Sequence, residues 1–222
     1  CLNTKTLGMR RGELVTITSG TGQGKSQLCR QIAHHLLKNK ESVGYIALEE
    51  SVKRSALGIM GIDLQKPLHL SKDGVNKDEF RNSFNATVGS GLLYLFAYFG
   101  SHDSMGLLSK IRYLAKGLGV RWIILDHLSI VISGLESFDE RKLIDVTMTK
   151  LRSLVEETGI GLFVVNHLRR PEGNKGYEDG LQTSLNSLRG SAAISQLSDG
   201  VISLEKNQQD DENKNYTTVR VL

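Results

Sequence analysis

The sequence predicts an α/β fold in which a mostly parallel central sheet is flanked by helices and ends in a C-terminal β-hairpin. Short apolar runs alternate with stretches of helical periodicity along most of the chain, a pattern typical of parallel strands joined by crossover helices. A glycine-rich turn, residues 19–26, separates the first apolar run from the first helical stretch. Near the end, two strand-like segments, residues 201–204 and 217–222, flank a polar turn and predict the hairpin.

The remaining elements follow from the same patterns. Apolar runs predict five strands before the hairpin, at residues 14–17, 43–48, 92–96, 122–126 and 160–165. Helical periodicity predicts helices after the glycine-rich turn and over residues 52–60, 104–117, 140–157 and 191–198. We assign residues 127–138 and 169–187 to loops and leave residues 61–90 unassigned. The strands are almost continuously apolar, so helices should cover both faces of the sheet.

The bulk composition is that of an ordinary globular protein. The 222 residues, 39% of them hydrophobic and 23% charged, suffice for one α/β domain with a full core. A net charge of +4 permits nucleic-acid binding but does not argue for it. No apolar run approaches transmembrane length and the N-terminus lacks a signal-peptide profile, so we expect no membrane partner. Because the sequence begins with Cys1 rather than Met, we expect it to be a piece of a longer protein.

Cysteines and histidines predict no metal motif. Cys1 and Cys29 are far apart, and the histidines do not complete a zinc-binding spacing with them. Cys29 lies in the first helix, where we expect a small core residue in a reducing compartment. His127 follows the fourth predicted strand, and the pattern assigns it no role.

The glycine-rich turn has the composition of a phosphate-binding P-loop: Ser19, Gly20, Thr21, Gly22, Gln23, Gly24, Lys25 and Ser26. Its glycines let backbone N–H groups converge on phosphate oxygens, and the following helix N-terminus adds partial positive charge. Lys25 is predicted to bridge the β- and γ-phosphates of a nucleoside triphosphate, and the Ser26 hydroxyl to bind Mg²⁺. The consensus G-x-x-x-x-G-K-[ST] has glycine at the position of Ser19. A turn with a chance Lys-Ser pair is the alternative, but it does not account for the strand before the turn and the helix after it.

Carboxylates follow two of the predicted strands. Asp126 ends an apolar strand, as in a Walker B strand, and is predicted to hold Mg²⁺, with a capping or loop aspartate as the alternative. Glu49 and Glu50 follow the second strand, and ATP hydrolysis needs one carboxylate beside the attacking water. Neighbours on a strand point to opposite faces, so only one of the two is the candidate base. The residues themselves do not choose between them, and two solvated loop acids remain the alternative.

Polar and basic residues follow the fifth strand. Asn166 and His167 end it, where a polar side chain can contact the γ-phosphate, and a purely structural histidine is the equal alternative. The next loop carries Arg169, Arg170 and Lys175. This is weak evidence for nucleic-acid binding because acidic residues in the same loop dilute the charge, and a solvated loop is the alternative.

Taken together and in order, these motifs resemble the helicase domain of DnaB-family ring helicases, and most closely the primase–helicases of T-seven-like bacteriophages. The matching segments are residues 2–8, 19–26, 48–52, 123–131, 139–142, 167–168, 188–191, 196–199 and 204–209. The resemblance extends over nearly the whole chain. Serine at the position of Ser19 also occurs in the phage motif. The mitochondrial helicase Twinkle is similar but more distant.

The resemblance implies a RecA-like P-loop NTPase core that hydrolyses NTP between the subunits of a hexameric ring and moves 5′→3′ on single-stranded DNA to unwind duplex. It makes Glu49 the catalytic carboxylate and His167 the phosphate-sensing histidine, beside Lys25. The residues that it places on single-stranded DNA are Arg169, Arg170, Lys175, Arg189 and Gly190. It further implies Mg²⁺, ATP or another NTP or dNTP, a replicative DNA polymerase as partner, and the cytoplasm of an infected bacterial host.

The resemblance has departures and rivals. No zinc-binding primase module precedes the motifs, and the sequence stops at Leu222, before the family's arginine finger. We therefore expect residues 1–222 to be a C-terminally truncated helicase ATPase domain. A RecA-like recombinase that forms filaments and a KaiC-like signalling ATPase share the same core, but residues 49–51 and 189–199 favour the ring helicase.

Overall fold

The computed structural model describes residues 5–71, 74–97, 104–128, 140–171, 175–189, 192–212 and 215–222. Its strands are β1 (Leu14–Ser19), β2 (Val43–Ala47), β3 (Leu93–Ala97), β4 (Trp122–Asp126), β5 (Gly161–His167), β6 (Gly200–Glu205) and β7 (Thr218–Val221). They form one seven-stranded sheet in the order β3-β2-β4-β5-β1-β6-β7. The pairs among β1 to β6 are parallel, and β7 is antiparallel to β6. The predicted mostly parallel sheet and C-terminal hairpin are confirmed.

Helices connect the parallel strands. They are α1 (Lys25–Lys38), α2 (Val52–Asp63), α3 (Lys77–Ala86), α4 (Ser104–Arg112), α5 (Glu140–Thr158) and α6 (Ala193–Leu197). A π-helical turn at Tyr113–Gly117 continues α4, and short 3₁₀ helices lie at Val88–Ser90 and Leu185–Ser187. Among the described helices, none has the length and apolar character needed to cross a membrane.

Two hydrophobic layers cover the two faces of the sheet, and β4 shows how the chain divides between them. Trp122 and Ile124 belong to one layer, whereas Ile123 and Leu125 belong to the other, because successive strand residues point to opposite faces. The first layer adds residues of α1 and α2, including Cys29, Ala33 and Ile59. The second adds residues of α4, α5 and α6, including Ile111, Met148 and Ile194. Helices on both faces and a buried, unpaired Cys29 are therefore as predicted.

Most differences from the predicted elements are small, and one helix was missed. Each predicted strand is present with bounds within two residues of the prediction. The unassigned stretch contains α3, which begins with a capping box. Asn76 accepts a hydrogen bond from the Glu79 backbone N–H at 2.8 Å, and the Glu79 carboxylate accepts one from the Asn76 backbone at 3.2 Å. The Asn-x-x-Glu spacing was a usable signal for this helix start. Of the predicted loop at 127–138, residues 129–138 lie outside the described ranges.

The strand order places four functional segments next to one another. In the sequence β2-β4-β5-β1, neighbouring strands are parallel, so their carboxyl ends lie at the same edge of the sheet. Glu49 follows β2, Asp126 ends β4, His167 ends β5, and the P-loop begins at Ser19, the last residue of β1. This edge is where open α/β sheets bind their ligands.

Glycine at the start of β5 should matter far more than glycine at the start of β6. A Cβ at Gly161 would clash with the ring of Trp122, which is itself buried and stacked on Phe163, whereas a Cβ at Gly200 would meet only Val15, at 4.0 Å. We expect Gly161→Ala to lower the free energy of unfolding by about 1–3 kcal/mol. Gly200→Ala is the matched control and should be neutral or slightly stabilising. Urea unfolding of both variants measures this, and equal stabilities would contradict the packing described here.

Candidate active site

The P-loop backbone needs its glycines for two different reasons. Gly22 and Gly24 have φ values of +72° and +98°, in the left-handed region that side chains disfavour. Gly20 has ordinary φ, but a Cβ there would lie 2.7 Å from the Cβ of Tyr177. Gly24 immediately precedes α1, so the turn delivers its backbone N–H groups at a helix N-terminus.

Ser19 explains why the first glycine of the consensus is dispensable in this chain. It is still part of β1 and pairs in register with His167, so its backbone does not require glycine. Its hydroxyl donates to the Gly20 carbonyl at 2.8 Å and accepts from the Lys25 ammonium at 3.2 Å. The side chain is fully buried. Serine therefore adds two hydrogen bonds that glycine could not make.

The Lys25 ammonium is hydrogen-bonded to the first two residues of the P-loop, Ser19 and Gly20. Besides the Ser19 hydroxyl, it donates to the carbonyls of Ser19 and Gly20 at 3.1 and 3.0 Å. Burial lowers the pKa of Lys25, and the carboxylates of Asp126 and Glu49 partly oppose this shift. A phosphate oxygen would compete with three neutral acceptors for a cation that is largely removed from water, which favours the charged partner.

Gln23 ties the P-loop to two distant segments, which sequence reasoning missed. Its amide nitrogen donates to the carbonyl of Tyr177 at 2.6 Å and to that of Lys206 at 3.1 Å. Its amide oxygen accepts from the Gly20 N–H at 3.1 Å. The side chain is buried, as is Tyr177. The loop after β5, which the sequence assigned only as a loop, thus packs directly on the glycine-rich turn.

Ser26 and Asp126, the two residues predicted to hold Mg²⁺, lie next to each other. The Ser26 hydroxyl donates a hydrogen bond to the Asp126 carboxylate. Burial raises the pKa of Asp126, while this hydrogen bond and the neighbouring His127 oppose the shift. A hydroxyl and a carboxylate side by side form the oxygen ligand set that Mg²⁺ prefers. The residues present therefore fit the predicted magnesium site.

The two glutamates after β2 have different surroundings. Glu50 is only 13% exposed, pairs with the buried guanidinium of Arg30, and accepts a hydrogen bond from the Ser55 hydroxyl at 2.7 Å. The Glu49 side chain is 58% exposed and contacts His127, with 2.5 Å between Glu49 Oε1 and His127 Nε2. Glu50 is thus committed to packing α2 against α1, whereas Glu49 faces the edge where the P-loop lies. These contacts favour Glu49 over Glu50 as the carboxylate available to a ligand.

His127 and His167 form a pair beside Glu49. Their Nε2 atoms are 3.0 Å apart, and the two rings meet edge to face with centroids 4.1 Å apart. Burial, together with His127 and Lys25, lowers the pKa of His167 to about 4, so this imidazole is neutral near pH 7. His127 is 4% exposed. Sequence reasoning gave His127 no role, and only its position directly after Asp126 could have drawn attention to it.

The three basic residues after β5 that were predicted to bind DNA line one cavity with the P-loop. Arg170 and Lys175 line a cavity of about 500 Å³ that is also lined by Ser19 and Thr21 of the P-loop and by His167. Arg169 lines the same cavity, but its guanidinium Nε donates to the carbonyl of Asn186 at 2.7 Å. The basic cluster after β5 therefore borders the P-loop.

Arg189 lies on a segment that runs beside the end of β5. Its backbone N–H donates to the His167 carbonyl at 3.0 Å, and its carbonyl accepts from the Asn166 amide at 3.1 Å. Leu168 and Leu188 form an antiparallel bridge between the same two segments. Gly190, also predicted to contact DNA, lies outside the described residues. The strand end that carries His167 is thus hydrogen-bonded to the segment that carries Arg189.

The sheet order, the P-loop after β1 and the carboxylates after β2 and β4 define a P-loop NTPase domain of the RecA-like class. Within that class, the chain belongs to the DnaB-like helicase C-terminal domain family, whose model matches residues 1–221. The resemblance stated from the sequence is confirmed.

The chain matches part of two longer relatives. The chain is 42% identical over 226 residues to the DNA helicase/primase of Enterobacteria phage T3, a match that covers 100% of the chain and 40% of the relative. It is 23% identical over 209 residues to the replicative DNA helicase DnaB of Leifsonia xyli subsp. xyli (strain CTCB07), covering 92% of the chain and 45% of that relative. The chain thus spans less than half the length of either relative.

Solved structures share the fold at lower sequence identity. A DnaB-like replicative helicase, described with its interactions with primase, has a TM-score of 0.75 at 17% identity, covering 98% of this chain and 56% of that one. A solved ATPase domain gives 0.76 at 17% identity, covering 100% and 84%. The KaiC-like protein PH0186 from Pyrococcus horikoshii OT3 gives 0.63 at 18% identity, covering 96% and 80%. These neighbours confirm the RecA-like α/β fold.

The different surroundings of the two glutamates predict different effects on stability. Glu50→Gln should lower the free energy of unfolding by about 1–3 kcal/mol, because Arg30 loses its charged partner while staying buried. Glu49→Gln alters a largely exposed side chain and should change stability by less than about 0.5 kcal/mol. Urea unfolding of the two variants in parallel makes each the control for the other. A larger loss of stability for Glu49→Gln than for Glu50→Gln would contradict the exposure of Glu49 and the burial of Glu50.

Proposed function

We propose that this chain is the motor domain of an NTP-dependent replicative DNA helicase. The observation that carries the proposal is the meeting of the P-loop, the Ser26–Asp126 pair and the available carboxylate of Glu49 at one edge of the sheet. That arrangement suits phosphoryl transfer to water. Membership of the DnaB-like helicase family favours a helicase over a recombinase with the same core. The KaiC-like neighbour shares the fold alone.

In the proposed reaction, residues 19–26 hold the phosphates of ATP or another NTP or dNTP. Lys25 neutralises charge on the β- and γ-phosphates, and Glu49 orients the attacking water and accepts its proton. His127 contacts the Glu49 carboxylate and so restricts the positions that this side chain adopts. His167 contacts His127 and lines a cavity with the P-loop. It is therefore close enough to the proposed γ-phosphate position to respond to whether that phosphate is present.

Ser26 and Asp126 are the residues that would hold Mg²⁺. When bound to the nucleotide, the ion neutralises phosphate charge and orients the phosphate oxygens. The chain's own contribution is to bring the half-buried Ser26 hydroxyl of α1 beside the buried Asp126 carboxylate at the end of β4.

The proposed coupling to DNA runs through the end of β5. His167 is bonded through its carbonyl to the Arg189 backbone, and Leu168 pairs with Leu188. A shift of the His167 strand end would therefore move the segments on either side of it. We assign Arg169, Arg170, Lys175, Arg189 and Gly190 to contacts with single-stranded DNA.

We extend to this chain the assembly, polarity and partner that the family resemblance implies. The relative from phage T3 is a DNA helicase/primase, and we extend to this chain a hexameric ring with NTP between subunits and 5′→3′ movement on single-stranded DNA. Head-to-tail contacts of one surface with a different surface close into such rings. A replicative DNA polymerase is the proposed partner, and the cytoplasm of a phage-infected bacterium is the proposed location.

Loss of the charge of Lys25 or of Glu49 should abolish unwinding. We expect Lys25→Ala and Glu49→Gln each to lower kcat for NTP hydrolysis at least about 100-fold, the scale of removing one transition-state contact. Glu49→Gln should still bind Mg²⁺-NTP because it keeps the P-loop intact. The assay is steady-state hydrolysis with and without single-stranded DNA, together with displacement of a strand from a forked duplex. Lys38→Ala, an exposed change at the far end of α1, is the control. Normal turnover in Lys25→Ala would contradict the proposal that residues 19–26 bind the phosphates of the nucleotide.

The basic cluster after β5 predicts a change in the salt dependence of DNA binding. Replacing Arg169, Arg170 and Lys175 with Ala should weaken single-stranded DNA binding and flatten the log–log salt slope by roughly 0.7 for each phosphate that is no longer neutralised. Arg112→Ala, on the exposed ion pair with Glu157, is the charge-matched control for one site.

A second candidate role for these residues follows from the cavity that Arg170 and Lys175 share with the P-loop. If their replacement raises KM for NTP and leaves the salt slope unchanged, these two residues belong to the nucleotide pocket instead. A flattened slope with unchanged KM supports the DNA assignment.

A further inference from the structure

Three metal-binding side chains converge beside the P-loop from separate strand ends. Glu49, His127 and His167 each offer one ligand atom, and these three atoms lie within 4.8 Å of one another. Within the described ranges this is the one such group of three or more. Because the residues are far apart in sequence, spacing rules for zinc motifs could not have found the group.

The contacts within this group cannot all be ordinary hydrogen bonds. His127 Nε2 lies 2.5 Å from Glu49 Oε1 and 3.0 Å from His167 Nε2. A neutral imidazole nitrogen carries either one proton or one lone pair. If His127 Nε2 carries the proton, Glu49 and His167 have to share it, and neither contact is then an ordinary two-centre hydrogen bond. If His127 Nε2 accepts from His167, it has no proton for Glu49.

The other nitrogen of His127 does not fix which form is present. Among the described residues, His127 Nδ1 has no hydrogen-bond partner, and the ring is buried. A buried polar atom without a partner is unusual in folded proteins. One cation bound at the three converging atoms would take a lone pair from each, leaving Nδ1–H as the single proton on the His127 ring.

We infer that Glu49, His127 and His167 form a transition-metal site that takes Zn²⁺. Two imidazole nitrogens and one carboxylate oxygen are a known three-ligand set for Zn²⁺, with water at the fourth position. Imidazole ligands favour Zn²⁺ over Mg²⁺, which prefers oxygen. The site is therefore distinct in chemistry from the Ser26–Asp126 pair.

Zinc binding would require the two contacts of His127 Nε2 to lengthen. Tetrahedral Zn²⁺ with bonds near 2.0–2.1 Å has its ligand atoms roughly 3.3 Å apart. The two contacts to His127 are shorter than this, so Glu49 and His167 would each move outward slightly. Glu49 is largely exposed and can do so, while the buried His127 provides the fixed ligand.

Metal bound here inhibits the motor. It occupies the carboxylate oxygen that would accept a proton from water, and it holds His167 away from the γ-phosphate. This consequence rests on the proposed function, whereas the binding itself does not. The two are therefore tested by separate measurements.

Binding is tested without nucleotide or DNA. Zn²⁺ is titrated into the purified protein in competition with a chromophoric chelator, and Co²⁺ is added separately to follow its visible absorption. We expect one Zn²⁺ to bind per chain, in a way that depends on Glu49, His127 and His167. We also expect a Co²⁺ spectrum typical of tetrahedral coordination. Glu49→Gln and His167→Ala should each weaken binding by more than the roughly 10–100-fold that removal of an outer-shell partner costs. His35→Ala, an exposed histidine on α1, is the control and should leave binding unchanged.

Several results would overturn the site. Equal affinity in Glu49→Gln, His167→Ala and His35→Ala would mean that Zn²⁺ binds elsewhere. Loss of Zn²⁺ binding in Asp126→Asn together with displacement by millimolar Mg²⁺ would place the ion at the magnesium site. Circular dichroism of each variant separates the removal of a ligand from a failure to fold, and Glu49→Gln, at a largely exposed position, keeps the test usable if His167→Ala unfolds.

Inhibition is the second measurement. Stoichiometric Zn²⁺ should lower the rate of NTP hydrolysis, and a chelator should restore it. If Zn²⁺ binds at the group but hydrolysis is unaffected, the metal site stands and the role assigned to Glu49 fails.

Discussion

The parallel register of four central strands is the constraint on which the site depends. Strands β2, β4, β5 and β1 lie side by side and run in the same direction. Their carboxyl ends therefore bring a glutamate, an aspartate, a histidine and the P-loop to one edge, although these lie far apart along the chain. A slip of one residue in any strand would exchange its two faces and displace its functional side chain. The hydrophobic layers on both faces prevent such a slip, so core packing sets the geometry of the site.

The P-loop depends on contacts beyond its own residues. Gln23 holds it to the backbone of Tyr177 and Lys206, and Tyr177 packs so closely on Gly20 that no side chain fits there. These partners belong to the loop after β5 and to the end of β6. The proposed phosphate-binding loop is thereby joined to the loop after β5, on which the proposed DNA contacts Arg169, Arg170 and Lys175 lie.

Of the two neighbouring glutamates, Glu50 has a structural role and Glu49 is available to contact a ligand. Glu50 neutralises the buried Arg30 and accepts from Ser55, so its charge is needed where it is. Glu49 instead contacts His127 at the open edge. The same contact that restricts Glu49 also creates the convergence of ligand atoms with His167. Positioning a carboxylate and attracting a metal ion are two consequences of one arrangement.

Local patterns in the sequence determined the strands, most of the helices, the P-loop and the aspartate after β4. Each of these depends on periodicity or spacing within a few residues, and the Asn76–Glu79 spacing that marks α3 was of the same kind. The local pattern left open which glutamate faces the site. The family resemblance chose Glu49, and the tertiary structure shows its contact with His127. Only the tertiary structure showed that His127 stands between Glu49 and His167, and that Arg170 and Lys175 border the P-loop. The physical reason is separation along the chain. Glu49 and His127 are 78 residues apart, and only the pairing of β2 with β4 brings them into contact.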